Sequence, residues 1–174
     1  MTNFEDTLVQ EVRALRITPP IRLTSVAPGP HYTKSFWHRS QVLDPDVMPI
    51  YTSVSEGKQP YFSEIVQYSA YPRSFWDQFN SLTIQKRVLC RMFEDISGDP
   101  NRIIYQTVVP ITLAHPVARV YHVSPGTGSH FGERKCLQQF RNSVSDNNRF
   151  YWPRMHETVQ AVITTCDECT RRRR

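Results

Sequence analysis

Two histidines and two cysteines in the last third of the chain, His122, His130, Cys166 and Cys169, constrain its folding more than any other residues. Seven residues, Val123 to Ser129, separate the histidines, and Pro125, Gly126 and Gly128 let that stretch bend until both rings face one point. Thirty-five residues separate His130 from Cys166, and they hold two amphipathic stretches able to fold back on each other and return the cysteine pair to the same point. Two imidazole nitrogens and two thiolate sulfurs suit tetrahedral zinc. Four protein ligands close the coordination sphere, so the metal is expected to staple the fold rather than activate a water. A redox role for Cys166-Asp-Glu-Cys169 would need a preceding thioredoxin-like strand and helix, which the sequence lacks. Chance co-occurrence among six histidines and four cysteines is the remaining alternative.

Periodicity outlines the elements that would carry these ligands. Ile111, Leu113, Val117 and Val120 mark a short helix before His122, which Pro116 obliges to begin close by. Phe131, Leu137, Phe140 and Val144 mark a second helix, followed by a polar loop, Asn142 to Asn148. Met155, Val159, Val162 and Ile163 mark a third, with Pro153 expected at its first helical position. Phe150, Tyr151 and Trp152 are read as core rather than as a base-stacking platform, because so small a module has few other large apolar groups to bury.

Upstream, Leu82–Ile84, Val88–Phe93 and Arg102–Val109 are β-prone runs separated by Gln85–Arg87 and by the turn signal Ser97–Asn101. They predict an antiparallel meander, led by a helical turn over Phe75–Phe79. Residues 1–73 hold eight of the thirteen prolines and little periodicity beyond a possible helix from Asn3 to Leu15. They read as a Pro-rich linker of low order, although Trp37, Tyr51, Tyr61 and Phe62 are more aromatic content than such linkers usually carry. The expected division is linker 1–73, small β extension 74–110 and His2Cys2 zinc-binding helical domain 111–174. The expected fold class is mainly α with a small antiparallel β unit, a zinc-stapled three-helix module preceded by a short three-stranded meander.

The residues around the ligands carry a resemblance. Val108-Val109-Pro110, His122, Ser129-His130-Phe131-Gly132, Arg149 to Met155, Val159 and Cys166-Asp-Glu-Cys169 resemble the zinc-binding His-His-Cys-Cys domain of integrases from gypsy-type long-terminal-repeat retrotransposons. The likeness spans about residues 74–174. Ser129 stands where that family usually has Gly, Cys136 where it has Thr, Arg154 where Gly is common and Thr170 where Gln is common. The resemblance implies structural Zn2+ on His122, His130, Cys166 and Cys169, together with binding of DNA ends and multimerisation. It places strand transfer in a separate carboxylate-bearing core. Asp95, Asp99, Asp146 and Glu157 are scattered with no context for a two-metal site, so no enzymatic activity is expected of this chain.

The formal charge is +5, with Arg171 to Arg174 in one run. Arg134, Lys135, Arg141, Arg149 and Arg154 add positives near the metal, so DNA is expected to bind non-specifically through phosphates, with strong salt dependence. Self-association and contact with other integrase domains are the further partners expected, with no membrane and no small-molecule substrate. Two rival readings stand beside this one: a domesticated protein-interaction adaptor, and the N-terminal piece of a complete DNA integrase whose reading frame continues past Arg174. The N-terminus lacks a secretory pattern, and paired metal-ligating thiols suit a reducing compartment, nuclear or cytoplasmic. Cys90 and Cys136 are expected to be buried thiols. His31, His38, His115 and His156 are expected to be ordinary residues, with His115 the one rival ligand.

Overall fold

The computed structural model describes residues 32–94, 103–124, 130–142 and 149–172. In chain order the elements are α1 (Lys34–Leu43), α2 (Met48–Glu56), α3 (Phe62–Ile65), α4 (Ala70–Arg73), a 3₁₀ turn (Phe79–Ser81), β1 (Leu82–Gln85), β2 (Val88–Glu94), β3 (Ile103–Val108), α5 (Ile111–Val123), α6 (Glu133–Asn142), β4 (Phe150–Tyr151), α7 (Met155–Thr164) and α8 (Asp167–Arg172). The expected mix of helices with a small antiparallel strand unit is what forms. Among the described residues, no helix is long and apolar enough to cross a membrane.

The meander pairs β1 with β2 and β2 with β3, both antiparallel. The turn between β1 and β2 consists of Lys86 and Arg87, both left-handed at φ 50° and 66°, so Gln85 pairs directly with Val88. Two successive positive φ values are what a tight hairpin demands, and here they occur without the usual Asn-Gly. A fourth strand, which periodicity does not reveal, joins the sheet: β4 runs parallel to β3, with Phe150 opposite Thr107 and Tyr151 opposite Val108. Two residues are too short for an alternating pattern to register, yet this strand ties the zinc module to the meander.

A linker of low order does not describe residues 32–73, which carry α1 to α4. Thr33 caps α1 by accepting from the Phe36 N–H, and Gly57, at φ 66°, ends α2 by donating its N–H to Ser53 and Val54. Helix α1 buries Trp37, whose ring lies 5.4 Å from that of Phe150. The Tyr71 hydroxyl donates to the carbonyl of Val109. Prolines here begin or flank helices, as Pro49 does in the first turn of α2, so a high proline count accompanies folded structure. The possible helix from Asn3 to Leu15 lies outside the described residues. The helical lead-in expected over Phe75–Phe79 is instead the short α4, then turns, then the 3₁₀ segment, with Phe75 buried.

One apolar cluster runs from Trp37 to Cys169. At its centre Phe150 lies 5.3 Å from Tyr121, and Phe140 lies 5.4 Å from Trp152. Phe150 and Trp152 are wholly buried, so these rings pack rather than offer a platform for bases.

Candidate metal centre

Helix α5 buries Ala114, Val117, Ala118, Tyr121 and His122, the face of a helix with apolar positions three and four residues apart, and packs on α7. It begins at Ile111, the first residue expected in it, so Pro116 lies five residues inside the helix rather than in the first turn that the ring alone would require. The proline removes one potential backbone bond to Thr112, whose residue is exposed, while burial of the whole face outweighs that loss. The buried face carries His122 into the core.

His130 reaches the same place by a backbone route. Its N–H donates to the carbonyl of His122 at 2.9 Å, and its φ of 60° turns the chain sharply into the approach to α6. Histidine tolerates the left-handed region better than most residues. Cys166 follows α7 directly, and Cys169 sits in α8, a helix that the hydrophobic pattern does not show because its six residues are mostly charged.

The four side chains converge, with one ligand atom from each lying within 4.8 Å of all the others. Cys169 Sγ is 3.2 Å from Nε2 of His122, and Cys166 Sγ is 3.2 Å from Nδ1 of His130. Cys169 Sγ is 3.7 Å from that same Nδ1. Tetrahedral zinc bonds to sulfur and nitrogen imply S···N separations of about 3.5 Å, so the donor set and its spacing fit the ion. In this arrangement His122 would hold the ion through Nε2 and His130 through Nδ1. His122 and Cys169 are buried, while His130 and Cys166 are half-buried. His115 lines the adjoining cleft but is not one of the converging four.

Electrostatics favour the ligand-competent imidazole. Burial, with the neighbouring His130 as a second cause, holds the His122 pKa below its ordinary value, which keeps the ring neutral. The Cys136 thiol is pushed up to about 11, mainly by burial and then by Cys169 nearby. Cys136 therefore remains a protonated thiol beside the site, its Sγ 3.7 Å from Nδ1 of His122. When bound, zinc would cross-link α5, the turn at His130 and α8. At neutral pH that cross-link contributes about 10–16 kcal/mol of apparent binding energy in small zinc domains.

The third helix starts later than Pro153 suggests. Arg154 occupies its N-cap at φ 60°, placing the proline ahead of the helix rather than at its first position. A left-handed Arg is costly, and its side chain answers by bonding Glu157, Nε to Oε1 at 2.8 Å with a second contact at 2.6 Å.

The expected nucleic-acid residues divide. Arg134, Lys135 and Arg141 lie exposed on α6, and among the described residues no ion pair involves them. Arg154, Arg171 and Arg172 are exposed too but pair with Glu157 or Glu168. Arg149 is buried, so it does not belong to an exposed basic face; its carbonyl accepts the Thr107 N–H beside β4. Arg173, Arg174 and the polar loop ahead of Arg149 lie outside the described residues, as do Asp95, Asp99 and Asp146.

Residues 109–174 match the family described as the integrase zinc binding domain. No curated protein and no solved structure matches the chain. The C-terminal segment is thus an integrase-type zinc-binding domain, and its His2Cys2 set is the site for structural zinc.

Proposed function

We propose that the chain serves a retrotransposon-type Pol integrase as its DNA-holding and assembly module, with zinc as scaffold and without strand-transfer chemistry of its own. The observation that carries this is the closed ligand set: His122, His130, Cys166 and Cys169 supply all four positions of a tetrahedral ion and leave none for a reacting water. The exposed cations of α6, Arg134, Lys135 and Arg141, supply the phosphate contacts, and the run Arg171 to Arg174 adds positive charge at the end of the sequence. Residues 32–110 act as an extension that docks on the zinc module through β4 and Phe150, and the site of action is nuclear or cytoplasmic.

The test is binding of labelled duplex DNA by the zinc-loaded chain across a salt series. Affinity is expected to fall steeply as salt rises and to drop again in Arg134→Glu/Lys135→Glu with helical circular dichroism unchanged. Affinity independent of salt would exclude phosphate contact. Exposed Tyr61, Phe62 and Val66, beside α3, favour a second reading in which the chain is an adaptor that contacts another copy or another integrase domain. Concentration-dependent self-association without any DNA binding at low salt would favour that reading.

A further inference from the structure

We propose that Cys136 is a positioning residue for the metal centre: its sulfur accepts the Nδ1 proton of His122 and so directs Nε2 to the ion. A neutral imidazole carries one N–H, and whichever nitrogen holds it cannot bind metal. Nε2 of His122 faces Cys169 Sγ at 3.2 Å, on the metal side, while Nδ1 faces Cys136 Sγ at 3.7 Å on the other. Cys136 lies in the first turn of α6 and is 3% exposed, so water does not compete for this contact.

The polarity of the chain of contacts is consistent throughout. Cys136 Sγ lies 3.2 Å from the carbonyl of Phe131, an acceptor only, so the thiol hydrogen is committed there. The sulfur lone pairs are left for a donor, and the His122 Nδ1–H is within reach. Cys136 does not act as a fifth ligand, because it stands at the nitrogen pointing away from Cys169 and is absent from the group of converging ligand atoms. Outer partners of this kind orient a metal-bound histidine and raise its basicity, and their loss costs about 10–100-fold in metal affinity. A thiol is a weak acceptor, so a hydroxyl at this position would perform the same task at least as well.

The experiment uses the full chain with Co2+ in place of zinc, its ligand-field absorption reporting coordination and a competing chelator reporting affinity. Cys136→Val is expected to weaken Co2+ binding at least about tenfold and to shift the absorption bands. Cys136→Ser is expected to stay within about threefold of the parent or to bind more tightly. Nitrogen-15 spectra of the zinc-loaded parent should show His122 protonated at Nδ1 and metal-bound at Nε2. Metal on Nδ1 of His122 would overturn the proposal, and this measurement decides alone if the valine variant does not fold. Equal weakening by serine and valine, or none by valine, would also overturn it. A parent chain that bound no Co2+ would instead remove the zinc centre itself.

Discussion

Gln41 and Leu89 exchange a reciprocal pair of hydrogen bonds: the Leu89 N–H donates to Oε1 of Gln41 at 2.8 Å, and Nε2 of Gln41 donates to the Leu89 carbonyl at 3.0 Å. The same Nε2 donates to the Val108 carbonyl at 2.7 Å. Pairing between β2 and β3 stops at Cys90 opposite Thr107, so the next backbone groups, on Leu89 and Val108, would be buried without partners. A fully buried side-chain amide from α1 takes the place of the missing ladder. The helices ahead of the meander are therefore joined to the sheet by polar bonds as well as by Trp37.

Replacing Gln41 with Leu should be severe for its size. It leaves the Leu89 N–H and two carbonyls buried and unsatisfied, at about 1–3 kcal/mol each before relaxation. We expect a loss of at least about 3 kcal/mol, read as a lower urea midpoint at unchanged slope in excess zinc. A variant within about 0.5 kcal/mol of the parent would show that the amide contributes nothing net.

Removing the metal should unfold the helices that it ties together. Excess EDTA is expected to lower helical circular dichroism, and added zinc to restore it, because metal binding and folding are coupled in small zinc domains. Cys169→Ser should start in the lowered state and respond little to chelator. Helical signal indifferent to EDTA would refute a structural metal.

Arg154→Gly isolates a backbone effect. Glycine relieves a left-handed arginine worth about 1–2 kcal/mol, while the lost pair with Glu157 is exposed and worth at most about 1 kcal/mol. The melting temperature of the zinc-loaded chain should hold or rise. A clear fall would mean that the arginine side chain secures the start of α7.

Alkali should weaken the fold through buried protons. Burial pushes the Cys90 thiol up to about 11 from 9.0, and Tyr71 is held well above the ordinary tyrosine value, chiefly by burial. The unfolded chain releases these protons first, so their contribution is complete below about pH 9 and is lost as pH rises through the folded values. The urea midpoint should decline from pH 9 towards 11, with a shallower decline in Cys90→Val. Identical profiles for the two proteins would leave the thiol without a share.

The meander and the zinc ligands were legible because each is encoded locally. Strand runs such as Val88–Phe93 are β-prone and bounded by turn residues, and Met155, Val159, Val162 and Ile163 fall on one helical face. Helix α5 was legible from Ile111 onward, but the place of Pro116 was not, since a rule about the proline in isolation omits the burial that keeps the five residues ahead of it helical. Helix α8 and strand β4 escaped for a related reason: short or charged segments carry no period, and their partners supply the order.

By itself the sequence determined the chemistry of the centre, because two imidazoles and two thiols at these separations, with a bendable run between the first pair, admit few uses besides a tetrahedral ion. Tertiary structure alone decided the rest. It chose the nitrogen that each histidine turns inward, set Cys136 against His122, buried Arg149 and folded residues 32–73 onto the sheet. Those outcomes depend on partners tens of residues distant, and burial and hydrogen-bond satisfaction are properties of the assembled core rather than of any local run.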